Sequence, residues 1–208
     1  MSQTDDTYGG GPGQMSEELV KELLQKSGWR VKELRKASDS GRAPLLESSD
    51  RDQNLRLVDF QAHNDSRDTH YIEVKSKAKA RYLGVEDEYR HGWEAAQHED
   101  YQEFARTYTN DPVYIFVHER KTGVILRAKI RELHVAQRVD DESKLRAFNG
   151  QPMVFFRRED FDVVTDNVTQ YTAGFGQSSI VKENIELSPF GGPSKGQAGL
   201  SEFGGVDP

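Results

Sequence analysis

Asp59, Glu73 and Lys75 are the side chains of this chain whose types and spacing could do chemistry together. They fall in Leu55 to Lys79, LRLVDFQAHNDSRDTHYIEVKSKAK, which reads as two strands, about Leu55 to Ala62 and His70 to Lys77. Between them, Asn64-Asp65-Ser66-Arg67-Asp68 has turn chemistry throughout. Residues along a strand alternate between the faces of a sheet. Tyr71, Glu73 and Lys75 therefore share one face, and Ile72 and Val74 the other. A hairpin centred near Ser66 makes Asp59 and Glu73 symmetric about the turn. Directly opposed residues have Cβ atoms about 5 Å apart, and like charges so placed repel. A divalent cation offsets that repulsion, and Lys75 adds a positive neighbour. Asp with Glu is a hard oxygen set, suited to Mg²⁺ or Mn²⁺.

This constellation resembles the PD-(D/E)XK nuclease superfamily, which has the restriction-endonuclease-like fold. Its signature is an Asp on one strand and (D/E)-x-K on the next, here Asp59 and then Glu73-Val74-Lys75. The continuation Glu73-Val74-Lys75-Ser76-Lys77 is similar to archaeal Holliday-junction resolvases and related phage nucleases. Val58, not Pro, precedes Asp59, a departure from the pattern. The resemblance implies an α/β domain with a mixed central sheet flanked by helices. It also implies Mg²⁺- or Mn²⁺-dependent hydrolysis of DNA phosphodiesters, in phage biology or in DNA repair and recombination. On that reading Asp59, Glu73 and the main-chain carbonyl of Val74 hold the metal, and Lys75 acts on the attacking water or the phosphate. Two alternatives stay open: a catalytically silent nucleic-acid- or protein-binding module on the same fold, or a coincidental triad in a scaffold protein. The DNA form is undetermined. Homodimers are common in this fold, and the oligomeric state stays open.

The elements that must position these residues follow from periodicity. Met15 to Ser27 reads as an amphipathic helix with Leu19, Val20, Leu23 and Leu24 as its stripe, Ser16 as its cap and Gly28 as its stop. The resemblance implies a first-helix acid that reaches the metal. Glu17 matches when the helix is aligned on Gly28, with Glu18 and Glu22 as rivals, and all three also suit a plain solvent-facing helix surface. Trp29 to Leu34 alternates as a strand, and Arg35 to Asp52 is a long polar connection; Arg30, Lys32, Arg35, Lys36 and Arg42 make the stretch leading into it basic, which suits a phosphate backbone or plain solvent. Lys75, Lys77 and Lys79 continue at spacing two, and Arg81 follows. Such a row suits a nucleic-acid backbone, although lysines also blunt strand ends.

Glu86 to Tyr108 reads as a second helix, best defined from Trp93. Trp93, Gln97, Tyr101, Phe104 and Tyr108 fall at steps of three and four, on one face. Gln97 is the polar exception in that face. It is either a core amide that finds its own partners or, as the resemblance implies, a residue pointing back at the site. The string from His91-Gly92-Trp93 through Gln97-His98-Glu99-Asp100-Tyr101 to Pro112 resembles phage and bacterial members of the superfamily. Asn110-Asp111-Pro112 ends the helix. Val113 to Val117 and Val124 to Ile130 read as strands joined by a turn at Glu119 to Gly123. Leu133 to Leu145 is ambiguous, a short helix and loop. Met153 to Phe156 is a further strand, followed by Arg157 and Arg158, which suit either a phosphate or plain solvent.

The 208 residues suit one domain, at 15–172, between a disordered N-terminal tail (1–14) and a flexible Gly-rich C-terminal tail (173–208). Phe190 and Phe203 are isolated apolar residues in that second tail, anchors for a protein partner or incidental. The net charge of −7 is an argument against a DNA partner. Without residues 1–14 and 182–208 the balance is 26 basic to 29 acidic, close to even, so the distribution of charge matters more than its total. There is no cysteine, which excludes disulfides, thiolate metal sites and a cysteine nucleophile. No apolar run is long enough to span a membrane, and the N-terminus has no signal-peptide pattern, so a cytoplasmic protein is expected. The six histidines have no zinc spacing, and no P-loop or dinucleotide fingerprint is present.

Overall fold

The computed structural model describes residues 12–34, 45–48, 54–83, 88–140, 150–166, 168 and 190. The expected tails, apart from residues 12–14 and Phe190, lie outside the described residues. So do most of the connection from Arg35 to Asp52 and residues 141–149.

Helix α1 (Pro12–Lys26) carries Leu19, Val20, Leu23 and Leu24 on one face, and all four are buried. It stops at Gly28, whose φ of +82° suits a residue without Cβ. The N–H of Gly28 bonds the Gln25 carbonyl, and that of Trp29 bonds the Leu24 carbonyl. The helix begins three residues before the expected Met15, so Ser16 is not its cap. Ser16 lies buried inside the helix instead, donating to the Pro12 carbonyl at 3.0 Å and meeting His118 Nδ1 at 2.9 Å.

The strands in chain order are β1 (Arg30–Glu33), β2 (Leu45–Glu47), β3 (Asn54–Arg56), β4 (Phe60–His63), β5 (Thr69–Lys77), β6 (Arg81–Leu83) and β7 (Glu88–Glu94). After helix α2 (Ala95–Glu103) and a π-helical turn (Phe104–Tyr108) come β8 (Val113–Glu119), β9 (Val124–Lys129), β10 (Gln137–Val139), β11 (Met153–Arg157) and β12 (Asp162–Thr165). The main sheet has the order β1-β4-β5-β8-β9-β12. Its β5–β8 pair is parallel and its other pairs are antiparallel. The expected α/β architecture, a mixed central sheet flanked by helices, is therefore present.

Alternation divides the main sheet into two cores. Phe60, Ala62, Ile72, Val74, Tyr114 and Phe116 face α1. Tyr71, Val113, Ile115 and Val117 face the other way, packing with Tyr101 and Phe104 and with Val154 and Phe156 of β11. The hairpin β8–β9 turns where expected, at Gly123 with φ +70°.

Three expected elements differ. Within Leu133 to Leu145, expected as a short helix and loop, Gln137–Val139 forms strand β10, paired with β11. The strand expected over Leu55 to Ala62 is broken at Leu57–Asp59. Its first part pairs with β2 in a separate two-stranded sheet, and its second part is β4. The helix expected from Glu86 begins only at Ala95. Glu88–Glu94 instead forms the middle of a second sheet, β10-β11-β7-β6, so Trp93 is a strand residue. Local packing favours the strand there. Gly92 pairs with Phe155, and a Cβ on Gly92 would lie 2.5 Å from the Phe155 ring. The first helical N–H, that of Ala95, bonds the Pro152 carbonyl beside β11.

Candidate active site

The pairing of β4 with β5 runs Phe60↔Ile72, Gln61↔Tyr71, Ala62↔His70 and His63↔Thr69. One more step sets Asp59 against Glu73, the relation that a turn centred on Ser66 requires. Asp59 itself lies in the bend before β4. Its carbonyl accepts from the Leu34 N–H at 2.8 Å, and its Oδ2 accepts from the Val74 N–H at 2.7 Å. Asp59 is 2% exposed and Glu73 1%. Carboxylates this deep require compensation by hydrogen bonds or opposite charge.

Lys75 supplies it for Glu73. The Lys75 ammonium donates to Glu73 Oε1 at 2.7 Å, to Gln97 Oε1 at 2.7 Å and to the Tyr101 hydroxyl at 3.0 Å. Three protons meet three acceptors, which fixes the position of the nitrogen. The Tyr101 hydroxyl in turn donates to Glu73 Oε1 at 2.5 Å. Gln97 Nε2 donates to Glu94 Oε2 at 2.9 Å, which orients the amide so that its oxygen faces Lys75. The site is thus assembled by β5, the bend before β4 and the first turns of α2.

Gln97 was singled out in the sequence, and its amide joins Lys75 even though the helix is shorter than expected. Tyr101 and Glu94 were not singled out. Tyr101 reads as one more apolar residue of the α2 stripe. Its distance of four residues from Gln97 was the available signal, because residues so spaced share a helix face. Val74 directs its N–H toward Asp59. Its carbonyl leaves the extended strand on the same edge and so faces Asp59 too. Glu17 is half-buried on α1, which covers the Val74 face, so the sheet lies between this helix and Lys75.

The basic row is only partly a row. Lys77 is the last residue of β5, so Lys79 lies past the strand and is exposed, and Arg81 begins β6 in the second sheet. Lys77 is nevertheless close enough to its neighbours to feel them. Burial lowers its pKa to about 8, with the Lys75 and Arg81 charges adding to the effect. Arg158 is otherwise engaged: its Nε and Nη2 donate to the two oxygens of Glu119 at 2.8 and 3.1 Å. Glu119 was expected only as a turn residue. It is 2% exposed and also takes bonds from His91 at 2.8 Å and Thr122 at 3.0 Å, tying the second sheet to the end of β8. Burial raises its pKa, but the hydrogen bonds from His91 and Arg158 outweigh that and bring it to about 2.

Among the described residues, no group of three or more His, Cys, Asp and Glu side chains is placed to hold a metal ion. The residues that the resemblance implies as metal ligands are Asp59, Glu73 and the main-chain carbonyl of Val74. All are hard oxygen donors, which suit Mg²⁺ or Mn²⁺. No helix among the described residues is long and apolar enough to cross a membrane.

No protein-family model matches the chain, and no curated protein matches it. Among solved structures it is similar to a 1.6 Å structure of Archaeoglobus fulgidus Hjc, described as a Holliday junction resolvase from an archaeal hyperthermophile. The likeness is distant: 15% sequence identity and a TM-score of 0.45, over 72% of this chain and 91% of that one.

Proposed function

We propose that this chain is a divalent-metal-dependent nuclease that hydrolyses DNA phosphodiester bonds. The observation that carries the reading is the buried Asp59–Glu73–Lys75 cluster, with the Lys75 ammonium fixed by Glu73, Gln97 and Tyr101. Taking this ammonium and the Glu73 carboxylate out of water is costly even when they are paired, which favours a functional over a purely structural role. Asp59, Glu73 and the Val74 carbonyl would hold Mg²⁺ or Mn²⁺. When bound, such an ion supplies positive charge against the developing charge of the phosphate and makes water more acidic.

Lys75 stands two residues from Glu73 on the same face. It provides a positive charge for a phosphate oxygen or hands a proton to and from the attacking water. Gln97 and Tyr101 position Lys75, and Glu94 positions Gln97. Lys77, Lys79 and Arg81 continue the positive charge away from the site and suit the phosphates that flank the scissile bond. A role in phage biology or in DNA repair and recombination, and a cytoplasmic location, fit the same reading. Glu17 serves it only by reaching round the strand ends.

The test is purified protein against branched, single-stranded and duplex DNA and against RNA, with Mg²⁺, Mn²⁺ or EDTA. Cleavage that EDTA stops and Lys75→Ala removes supports the reading. Binding to DNA without cleavage of any substrate would leave the silent module in its place.

A further inference from the structure

The face of the main sheet covered by α1 ends in an aromatic cluster that the proposed chemistry does not use. Trp29, just past the Gly28 turn, stacks on His70 of β5 with ring centroids 4.8 Å apart and planes at 27°. Tyr114 of β8 meets His70 edge-on at 5.3 Å. Phe190 reaches into this cluster from far along the chain. Its ring lies 4.4 Å from Trp29, 4.3 Å from His70 and 5.0 Å from Tyr114. It packs against the buried core beneath α1 while staying partly exposed itself, as does Trp29. The ring therefore sits in an open-sided pocket. His70 and Glu73 point to opposite faces of β5, so the sheet separates this pocket from the carboxylates.

Phe190 belongs to Leu187-Ser188-Pro189-Phe190-Gly191-Gly192. Thirteen residues on, Leu200-Ser201-Glu202-Phe203-Gly204-Gly205 repeats the pattern with a single change, Pro189 to Glu202. Such fidelity stands out in a segment otherwise poor in large apolar side chains. The repeated chemistry is one aromatic ring followed by two residues without Cβ.

We propose that the Trp29–His70–Tyr114 pocket is a docking site for the Leu-Ser-x-Phe-Gly-Gly module, and that the Phe203 module of the same chain is its second occupant. The short link makes exchange intramolecular, at an effective concentration on the order of millimolar, above that of a second copy in dilute solution. One pocket with two modules leaves one module spare at any moment. The chain can then offer a Phe-Gly-Gly segment to another aromatic pocket while its own stays covered.

The test uses the full chain. A labelled peptide of residues 197–207 is titrated against wild type, Phe190→Ala, Phe203→Ala and the double variant, followed by fluorescence anisotropy. The double variant binds best, and each single variant binds at least about tenfold more weakly because the resident module competes. The same peptide carrying Phe203→Ala binds the double variant at least about tenfold more weakly than the unaltered one. Cooperative melting of the double variant establishes that it is folded. A folded double variant that ignores the peptide, or that binds both peptides alike, overturns the pocket assignment. Equal binding by Phe190→Ala and the double variant overturns Phe203 as the second occupant. Concentration-dependent self-association of Phe190→Ala that Phe203→Ala abolishes makes a second copy the occupant, and overturns the intramolecular assignment.

Discussion

The Tyr101 hydroxyl donates to Glu73 Oε1 at 2.5 Å while it accepts from Lys75 Nζ at 3.0 Å, so one side chain of α2 holds both Glu73 and Lys75 of β5. Tyr101→Phe removes that bridge and keeps the ring that packs in the core. It should cost about 1 kcal/mol of stability, as for one hydrogen bond. Hydrolysis should fall about tenfold, less than the hundredfold or more expected for a group that itself moves a proton. Denaturant unfolding and single-turnover rates check the two separately. An unchanged rate would remove Tyr101 from the positioning of Lys75.

The hairpin was legible because both of its signals are local. Asn64 to Asp68 leaves no choice but a turn, and alternation on either side fixes which face each residue takes. The register followed from symmetry and placed Asp59 against Glu73. Gln97 was legible as a polar residue in an apolar stripe. Tyr101 was not, since a buried tyrosine at helical spacing has the same pattern whether its hydroxyl is idle or bonded. The second sheet was hidden for a different reason. Its strands β6 and β10 have three residues each, and β7, with the sequence EYRHGWE, has no run of apolar alternation. Trp93 also extends the periodicity of α2 backward by accident, which lengthened the expected helix. Glu119 looked like turn chemistry, and only tertiary contacts with His91 and Arg158 give it its place.

Metal should stabilise the fold through the buried carboxylates. Ligand that binds only the native state adds stability with the logarithm of its concentration. Millimolar Mn²⁺ should raise the melting temperature relative to EDTA, and Asp59→Asn should shrink the rise. Asn keeps an oxygen for the Val74 N–H, so the variant should still fold. The same rise in both proteins would sink the assignment of Asp59.

Lys77 should make DNA affinity depend on pH. Burial, with Lys75 and Arg81 nearby, lowers its pKa to about 8. It is charged below that pH and neutral above it, so its share of phosphate attraction declines as pH rises through about 8. Lys77→Arg stays charged throughout and should flatten the decline between pH 7 and pH 9. Affinities at fixed ionic strength measure this, and a parallel decline in both proteins would assign the pH dependence elsewhere.

Acid should destabilise the domain through its histidines before its carboxylates. Burial lowers the pKa of His98 to about 4, and burial with the Arg120 charge does the same to His118. Both values lie below the unfolded 6.5, so the unfolded state binds more protons between them. Stability is therefore complete above pH 6.5 and declines as pH falls toward 4, by up to about 3 kcal/mol per histidine. Glu119, at about 2, adds its own loss only below about pH 4.5. His98→Phe keeps an aromatic ring beside Trp93 and Phe156 and should reduce the slope of unfolding free energy between pH 6.5 and 4.5. An unaltered slope would show that His98 does not titrate with unfolding.

Lys75 separates a structural from a chemical role. Lys75→Ala leaves the buried Glu73, 1% exposed, without its ammonium partner. Breaking a fully buried pair costs about 3–5 kcal/mol, and Lys75 keeps 12% of its side chain in solvent, so a loss of about 2 kcal/mol is expected. Millimolar Mn²⁺ should recover much of that loss, because a cation bound at Glu73 replaces the missing charge. Adding Glu73→Gln to Lys75→Ala should recover much of it without metal, because residue 73 then carries no charge that lacks its ammonium partner. Neither rescue should restore hydrolysis. With metal present and the fold recovered, Lys75→Ala should bind DNA nearly as wild type does, since it lacks one phosphate contact among several. It should still hydrolyse DNA at least about a hundredfold more slowly, because a group acting mainly in the transition state affects rate more than binding. If the rate recovers together with the melting temperature, Lys75 only balances the charge of Glu73 and takes no part in the reaction.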